Sequence, residues 1–195
     1  MKTVLLSIVS VLFLISTINA QKKEKETNEV KPVLIVMDIQ NQYIPSMDKE
    51  ETDLGLQYIN AYIELFRKHD LPVITVYHQD KERGPHQDSL DFQFPESVNI
   101  LPDDPKIIKN YPSAFTKTDL HKIIDENGGN TLFICGLSAT GCVLATYLAS
   151  YDYDYNAFLI KNGIISRNST HTDQIEEIFG AVNYRIVKVL VESIQ

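Results

Sequence analysis

Three side chains in this sequence have the chemistry for covalent hydrolysis between them: the carboxylate of Asp38, the ammonium of Lys109 and the thiol of Cys142. A carboxylate can take a thiol proton, a neighbouring ammonium favours the charged forms of both, and the resulting thiolate attacks carbonyl carbon. They lie 71 and 33 residues apart, so only the fold can join them. Each also has a plainer reading: an aspartate that caps a loop, a solvated lysine, a cysteine packed as a small hydrophobe. What sets them apart is position, since each follows a run that reads as a strand.

The clearest of these places is Cys135-Gly136-Leu137-Ser138-Ala139-Thr140-Gly141-Cys142. The bulky apolar run Thr131-Leu132-Phe133-Ile134 precedes it and reads as a buried strand. Val143-Leu144-Ala145-Thr146-Tyr147-Leu148-Ala149 follows it as a helix. A thiol in the first turn of that helix meets backbone N–H groups and the positive end of the helix dipole, which predicts a thiolate at Cys142. The N–H groups of Ser138 and Cys142 are the candidate oxyanion hole.

The elements that must position these groups follow from periodicity. Pro32-Val33-Leu34-Ile35-Val36-Met37 is continuously apolar and reads as a central parallel strand delivering Asp38 at its C-terminal end. Residues 52–69 are amphipathic, with Leu56, Ile59, Ile63 and Phe66 on one stripe. Residues 71–77, 106–109, 155–160 and 184–189 read as further strands. Residues 118–127 and 171–180 read as helices, the latter with Ile175, Ile178 and Phe179 on one side. Alternating strands and helices predict an α/β layered fold with a mainly parallel sheet, whose ligands bind outside the carboxyl ends of the strands. Tyr43, His78, Tyr111 and Phe115 are the candidate pocket-lining residues. The long stretch between residues 78 and 104 is a loop of functional length.

Charge and cysteine usage bound the function. The chain has 18 basic and 26 acidic residues, a net charge of −8. An acidic chain with no basic stripe excludes nucleic acid as an expected partner. Residues 1–20 read as a secretory signal peptide: Lys2, an apolar run over residues 4–15, and Ala20 at the expected cut. The run is shorter than the roughly 20 residues that span a bilayer, so the mature chain is expected to be exported and free of the membrane. Residues 21–31 form a charged linker, and residues 32–195 the single domain. The two cysteines, Cys135 and Cys142, are expected to stay free, Cys135 as a buried packing residue.

Three motifs resemble the isochorismatase-like cysteine hydrolase family. Asp38-Ile39-Gln40-Asn41-Gln42-Tyr43 is similar to its D-x-Q-x-x-aromatic segment. Lys109-Asn110-Tyr111-Pro112-Ser113-Ala114-Phe115 with Thr118-Asp119-Leu120 is similar to its K-x-x-x-S-A-F…T-x-L segment. Residues 136–143 are similar to its G-x-x-T-x-x-C-V elbow, with Ala139 where threonine is frequent. The resemblance implies a Rossmann-like three-layer α/β/α sandwich with a six-stranded parallel sheet and an Asp38–Lys109–Cys142 triad. It also implies a cis peptide at Leu137–Ser138 and a tendency to form homo-oligomers. The implied activity is hydrolysis of an amide or ureido C–N bond of a small molecule, without a cofactor. Nicotinamidase relatives carry an aspartate and two histidines as metal ligands; Asp80, Glu82 and His86 lack that D-x-H spacing, so no metal is expected. Alternatives are a vinyl-ether hydrolase, a non-catalytic binding relative, a thiol-redox protein or an assembly subunit.

Overall fold

The computed structural model describes residues 29–194. The residues read as a signal peptide and most of those read as a charged linker lie outside the described residues. Five parallel strands form one sheet: β1 (Pro32–Met37), β2 (Val73–His78), β3 (Lys106–Lys109), β4 (Thr131–Leu137) and β5 (Asn156–Ile165). Their order across the sheet is β3-β2-β1-β4-β5. The helices are α1 (Lys49–Lys68), α2 (Leu120–Glu126), α3 (Leu144–Ser150), α4 (Ser169–Ile178) and α5 (Tyr184–Ser193).

β1 lies between β2 and β4 and is buried on both faces, as its unbroken apolar run requires. Its side chains alternate between two cores. Leu34 and Val36 pack with Ile59, Tyr62, Ile63 and Phe66 of α1 and with Val187 and Val191 of α5. Val33, Ile35 and Met37 pack on the other face with Leu120 and Ile124 of α2 and Tyr147 of α3. Helices therefore cover both faces, giving the expected α/β/α sandwich.

Among the described residues the expected sixth strand is absent. Residues 184–189 belong to α5, because Asn183 caps the segment by accepting a hydrogen bond from Ile186 N at 3.1 Å. Its apolar residues then follow a helical stripe: Val187 and Val191 are buried, while Ile186 and Val189 face outward. All that stands at the sixth position is a single bridge between Ile160 and Val182. Of the apolar side of residues 171–180, Ile175 and Phe179 pack against the core while Ile178 is exposed, and Thr172 and Glu176 are buried.

The chain passes from β1 to β2 to β3 on one side and then returns to place β4 and β5 on the other. The order therefore reverses between β1 and β4, and the crevice beyond their carboxyl ends is where such sheets bind ligands. Gly136 makes the approach of these strands possible. It pairs with Met37, its φ is 114°, and a Cβ there would stand 2.0 Å from Met37 O. Gly136→Ala is expected to lower unfolding free energy by about 3 kcal/mol or more, combining strain with a backbone clash. Gly128→Ala, with φ 68° but nothing within 4 Å, is expected to lose only about 1 kcal/mol. Urea denaturation of the two variants checks the contrast.

Candidate active site

Asp38 is the first residue past β1. Its backbone turns out of the strand with φ 53°, a left-handed conformation that aspartate tolerates better than most residues. Asp38 N donates to Val76 O at 2.8 Å, fixing this turn against β2. Lys109 ends β3, in register with His78 at the end of β2. Its side chain is completely buried, and Nζ stands 2.8 Å from Asp38 Oδ2. A lysine buried to this degree is sustained by a counterion, so the sequence reading of Lys109 as a solvated surface charge is excluded. Beyond this ion pair and the Cys142 thiol, both buried Asp38 oxygens have no hydrogen-bond partner among the described residues. The carboxylate is thus positioned to receive the thiol proton.

Cys142 reaches the same place from the β4–α3 turn. Residues 139–143 form one wide turn of helix, interrupted at Gly141 (φ −128°, ψ −108°). α3 then begins at Leu144. The thiol lies against both Asp38 and Lys109 and is half-buried. Three strand ends thus bring the carboxylate, the ammonium and the thiol together.

The electrostatics differ from the sequence expectation of a thiolate. Burial, and secondarily the Asp38 charge, push the Cys142 thiol up to about 11, against a smaller downward pull from Lys109. Burial also raises the Asp38 carboxyl above its ordinary value, with Lys109 pulling the other way. Desolvation thus disfavours the charged form of both groups, and Lys109 opposes it at each. Iodoacetamide labelling of Cys142 is therefore expected to accelerate through the alkaline range toward pH 11 rather than level off near pH 8.5. Asp38→Asn removes a charge that opposes thiolate, so it is expected to move the labelling midpoint to lower pH. Peptide mass mapping of the labelled cysteine measures both shifts.

Asp38 and Cys142 open on a cavity of about 430 Å³, and Lys109 lies behind Asp38, sealed from it. Tyr43 and His78 line it, as expected, and so does Ser138. Tyr111 and Phe115 do not. Tyr111 is exposed and its hydroxyl accepts from Lys117 Nζ at 3.0 Å. Phe115 is buried in the core, stacked on Tyr153 and Tyr155. The loop after β3 is drawn onto α3, where Ala114 N donates to Thr146 Oγ1 at 2.9 Å, and so leaves the cavity. The cis peptide expected at Leu137–Ser138 is also absent; among the described residues the cis bond is Gly84–Pro85.

Sequence reasoning missed one part of the cavity wall, built from Ser166, Arg167, Asn168 and His171. These residues follow β5, which runs on to Ile165 rather than ending at Ile160. It also missed Gln40, a fully buried side chain that holds His78 from both sides: Gln40 Nε2 donates to His78 O at 3.0 Å and His78 N donates to Gln40 Oε1 at 2.8 Å. The long loop is tied to the site, with Asn41 N donating to Gln93 O and Gln42 N to Asp91 O. Phe92 and Phe94 anchor it by packing on Tyr77.

The residues weighed as metal ligands do not fit a metal. Asp80 Oδ1 accepts from Glu82 N and Arg83 N, and Oδ2 pairs with Arg83, so this carboxylate closes its own tight loop. Among the described residues no three His, Cys, Asp or Glu side chains gather as a metal site.

A parallel α/β/α sandwich with a cavity at its switch point hosts many chemistries, and the family rests on similarity to known proteins. The chain belongs to the isochorismatase family: the Isochorismatase domain matches residues 32–186. It is 28% identical to the isochorismatase family protein YddQ of Bacillus subtilis over 149 residues, covering 74% of this chain and 81% of that one. Among solved structures it is similar to an isochorismatase from Pseudomonas putida, with 26% identity, TM-score 0.64, and 70% and 71% of the two chains covered. It shares its fold with N-carbamoylsarcosine amidase from Thermoplasma acidophilum, at 24% identity and TM-score 0.69, covering 79% of this chain and 95% of that one.

Proposed function

We propose that this protein is an exported cysteine hydrolase that cleaves an amide or ureido C–N bond of a small molecule through a thioester on Cys142. The observation that carries the proposal is the meeting of the three groups: Asp38 and Cys142 line one cavity, and the buried Lys109 ammonium stands 2.8 Å from the Asp38 carboxylate. The family resemblance and the fold shared with an amidase support the choice of bond.

Asp38 takes the proton of Cys142 as sulfur bonds to the carbonyl carbon. The tetrahedral oxyanion is assigned to the N–H groups of Cys142 and Ser138, the latter without the cis peptide that the family resemblance implied would aim it. Its collapse breaks the C–N bond, and Asp38 returns the proton to the departing nitrogen. Water then adds to the thioester and gives its proton to Asp38. The C–S bond breaks, and the proton passes back to sulfur, leaving acid, amine and the free thiol. Lys109 keeps Asp38 ionised between these transfers against the desolvation that favours its neutral form.

Export rests on residues 1–20, and self-association on the family resemblance and the exposed Ile186 and Val189 of α5; light scattering reads the latter. The test of the reaction is ammonia release from a panel of primary amides and ureides, with isochorismate alongside. Catalytic release of ammonia from a panel member is expected. Turnover of isochorismate with no C–N cleavage contradicts the reading and favours vinyl-ether hydrolysis. Binding of panel compounds without turnover marks a non-catalytic relative.

A further inference from the structure

The Lys109 ammonium has a second partner besides Asp38. His78 Nδ1 stands 3.1 Å from Lys109 Nζ. An ammonium has only protons to give and no lone pair. Beside a charged Lys109, Nδ1 is therefore the acceptor, and a neutral ring must carry its proton on Nε2. The Cα from which the ring projects is fixed, because Gln40, itself completely buried, holds the His78 backbone through both N–H and C=O. His78 lines the cavity beside Asp38 and Cys142. Nε2 has no protein partner among the described residues and is not sealed from solvent.

We propose that His78 is a substrate-contacting residue: Lys109 fixes its neutral tautomer, and its Nε2–H donates into the cavity to an acceptor atom of the bound amide or ureide. The proposal rests on the hydrolase reading and deepens it, because it calls for a substrate with a hydrogen-bond acceptor on the side of the scissile group facing β2. The groups facing the ring are Lys109 from β3, Asp38 after β1, the Tyr43 ring at 6.1 Å, Cys142 and Asp80. Desolvation and then Lys109 disfavour the imidazolium, while Asp38 and Asp80 favour it. A second cation at Nδ1 would meet the ammonium at 3.1 Å with no acceptor between them. Lys109 thus serves two neighbours, holding a carboxylate charged and an imidazole neutral.

The first test is nitrogen-15 NMR of the imidazole in the intact, unliganded protein at pH 7.5. A protonated Nε2 with a bare, hydrogen-bonded Nδ1 on His78 is expected; a protonated Nδ1 or an imidazolium overturns the proposal. This measurement needs no turnover, so it separates failure of the proposal from failure of the hydrolase reading. The second test uses the amide or ureide of the panel that releases ammonia fastest. His78→Phe is expected to raise KM about 10-fold, the loss of one neutral hydrogen bond, with an unchanged circular dichroism spectrum. His78→Gln puts an amide N–H near the Nε2 position and is expected to recover most of that loss. His78→Asn offers Lys109 an acceptor but does not reach the cavity, and is expected not to recover it. An unchanged KM in His78→Phe, or recovery by Asn equal to that by Gln, contradicts the assignment.

Discussion

Cys142→Ala is expected to fold like the parent and to lose turnover by roughly 10⁴-fold or more, since it removes the atom that bonds to the substrate. The thiol is half-buried in a turn whose shape is set elsewhere, by Gly141 and by Gly141 N and Val143 N donating to Ser138 O. Its removal is expected to change unfolding free energy by less than about 1 kcal/mol. The pairing of a lost rate with a preserved fold is the informative outcome. Ammonia release and thermal unfolding, measured on one preparation, report both. Substrate binding is expected to persist, since the alanine leaves the cavity walls in place.

Lys109→Met has the second largest expected effect, and it acts on stability and rate together. The variant leaves Asp38 buried with no counterion. Breaking a buried pair from one side costs roughly 3–5 kcal/mol, reduced by whatever protonation of Asp38 recovers. The sign with pH follows from the direction of the shift. Burial already raises Asp38, and Lys109 is its largest opposing influence. Without Lys109 the folded pKa rises further, so the destabilisation is full above that value and is relieved as pH falls through it. A protonated Asp38 cannot take the Cys142 proton, so turnover at neutral pH is expected to fall about 10²- to 10⁴-fold, with the acid limb of the rate profile moved to higher pH. The double variant Asp38→Asn/Lys109→Met removes both charges. It is expected to regain most of the stability and none of the activity. Urea denaturation at pH 5 and pH 8, run on both variants, measures these terms.

The parts legible in the sequence are those whose physics is local. β1 announces itself because a central parallel strand must be apolar on both faces, and Asp38 is conspicuous for ending it. The elbow is legible because small residues between a strand and a helix leave little choice but a tight turn. Lys109 alone looks like any surface lysine, and its burial emerges only when β3 is laid against β2. α5 was misread because Tyr184-Arg185-Ile186-Val187-Lys188-Val189 is rich in strand-forming side chains. The Asn183 cap and a neighbouring core that receives Val187 and Val191 settle it as helix.

The missed wall has a different cause. β5 is irregular: Ile134 pairs with Leu159 but Gly136 pairs with Ile164, and Asn162 adopts φ 60° in between. The hydrophobic pattern breaks at Lys161-Asn162-Gly163, so the strand reads as ending there. Had it been followed to Ile165, the rule that ligands meet the residues after strands would have pointed to Ser166, Arg167 and Asn168. Tyr111 and Phe115 failed for the converse reason. They do follow a strand, but Phe115 gains more from burial against Tyr153 and Tyr155 than from facing a wet cavity.

The central claim is a covalent bond between substrate and Cys142, and intact-mass spectrometry of protein acid-quenched during turnover reads it directly. The account predicts a mass increase equal to the acyl or carbamoyl group, carried on the peptide containing Cys142 and absent from Cys142→Ala. Rapid turnover by the Cys142→Ala protein, or an adduct that maps to another residue, would contradict it.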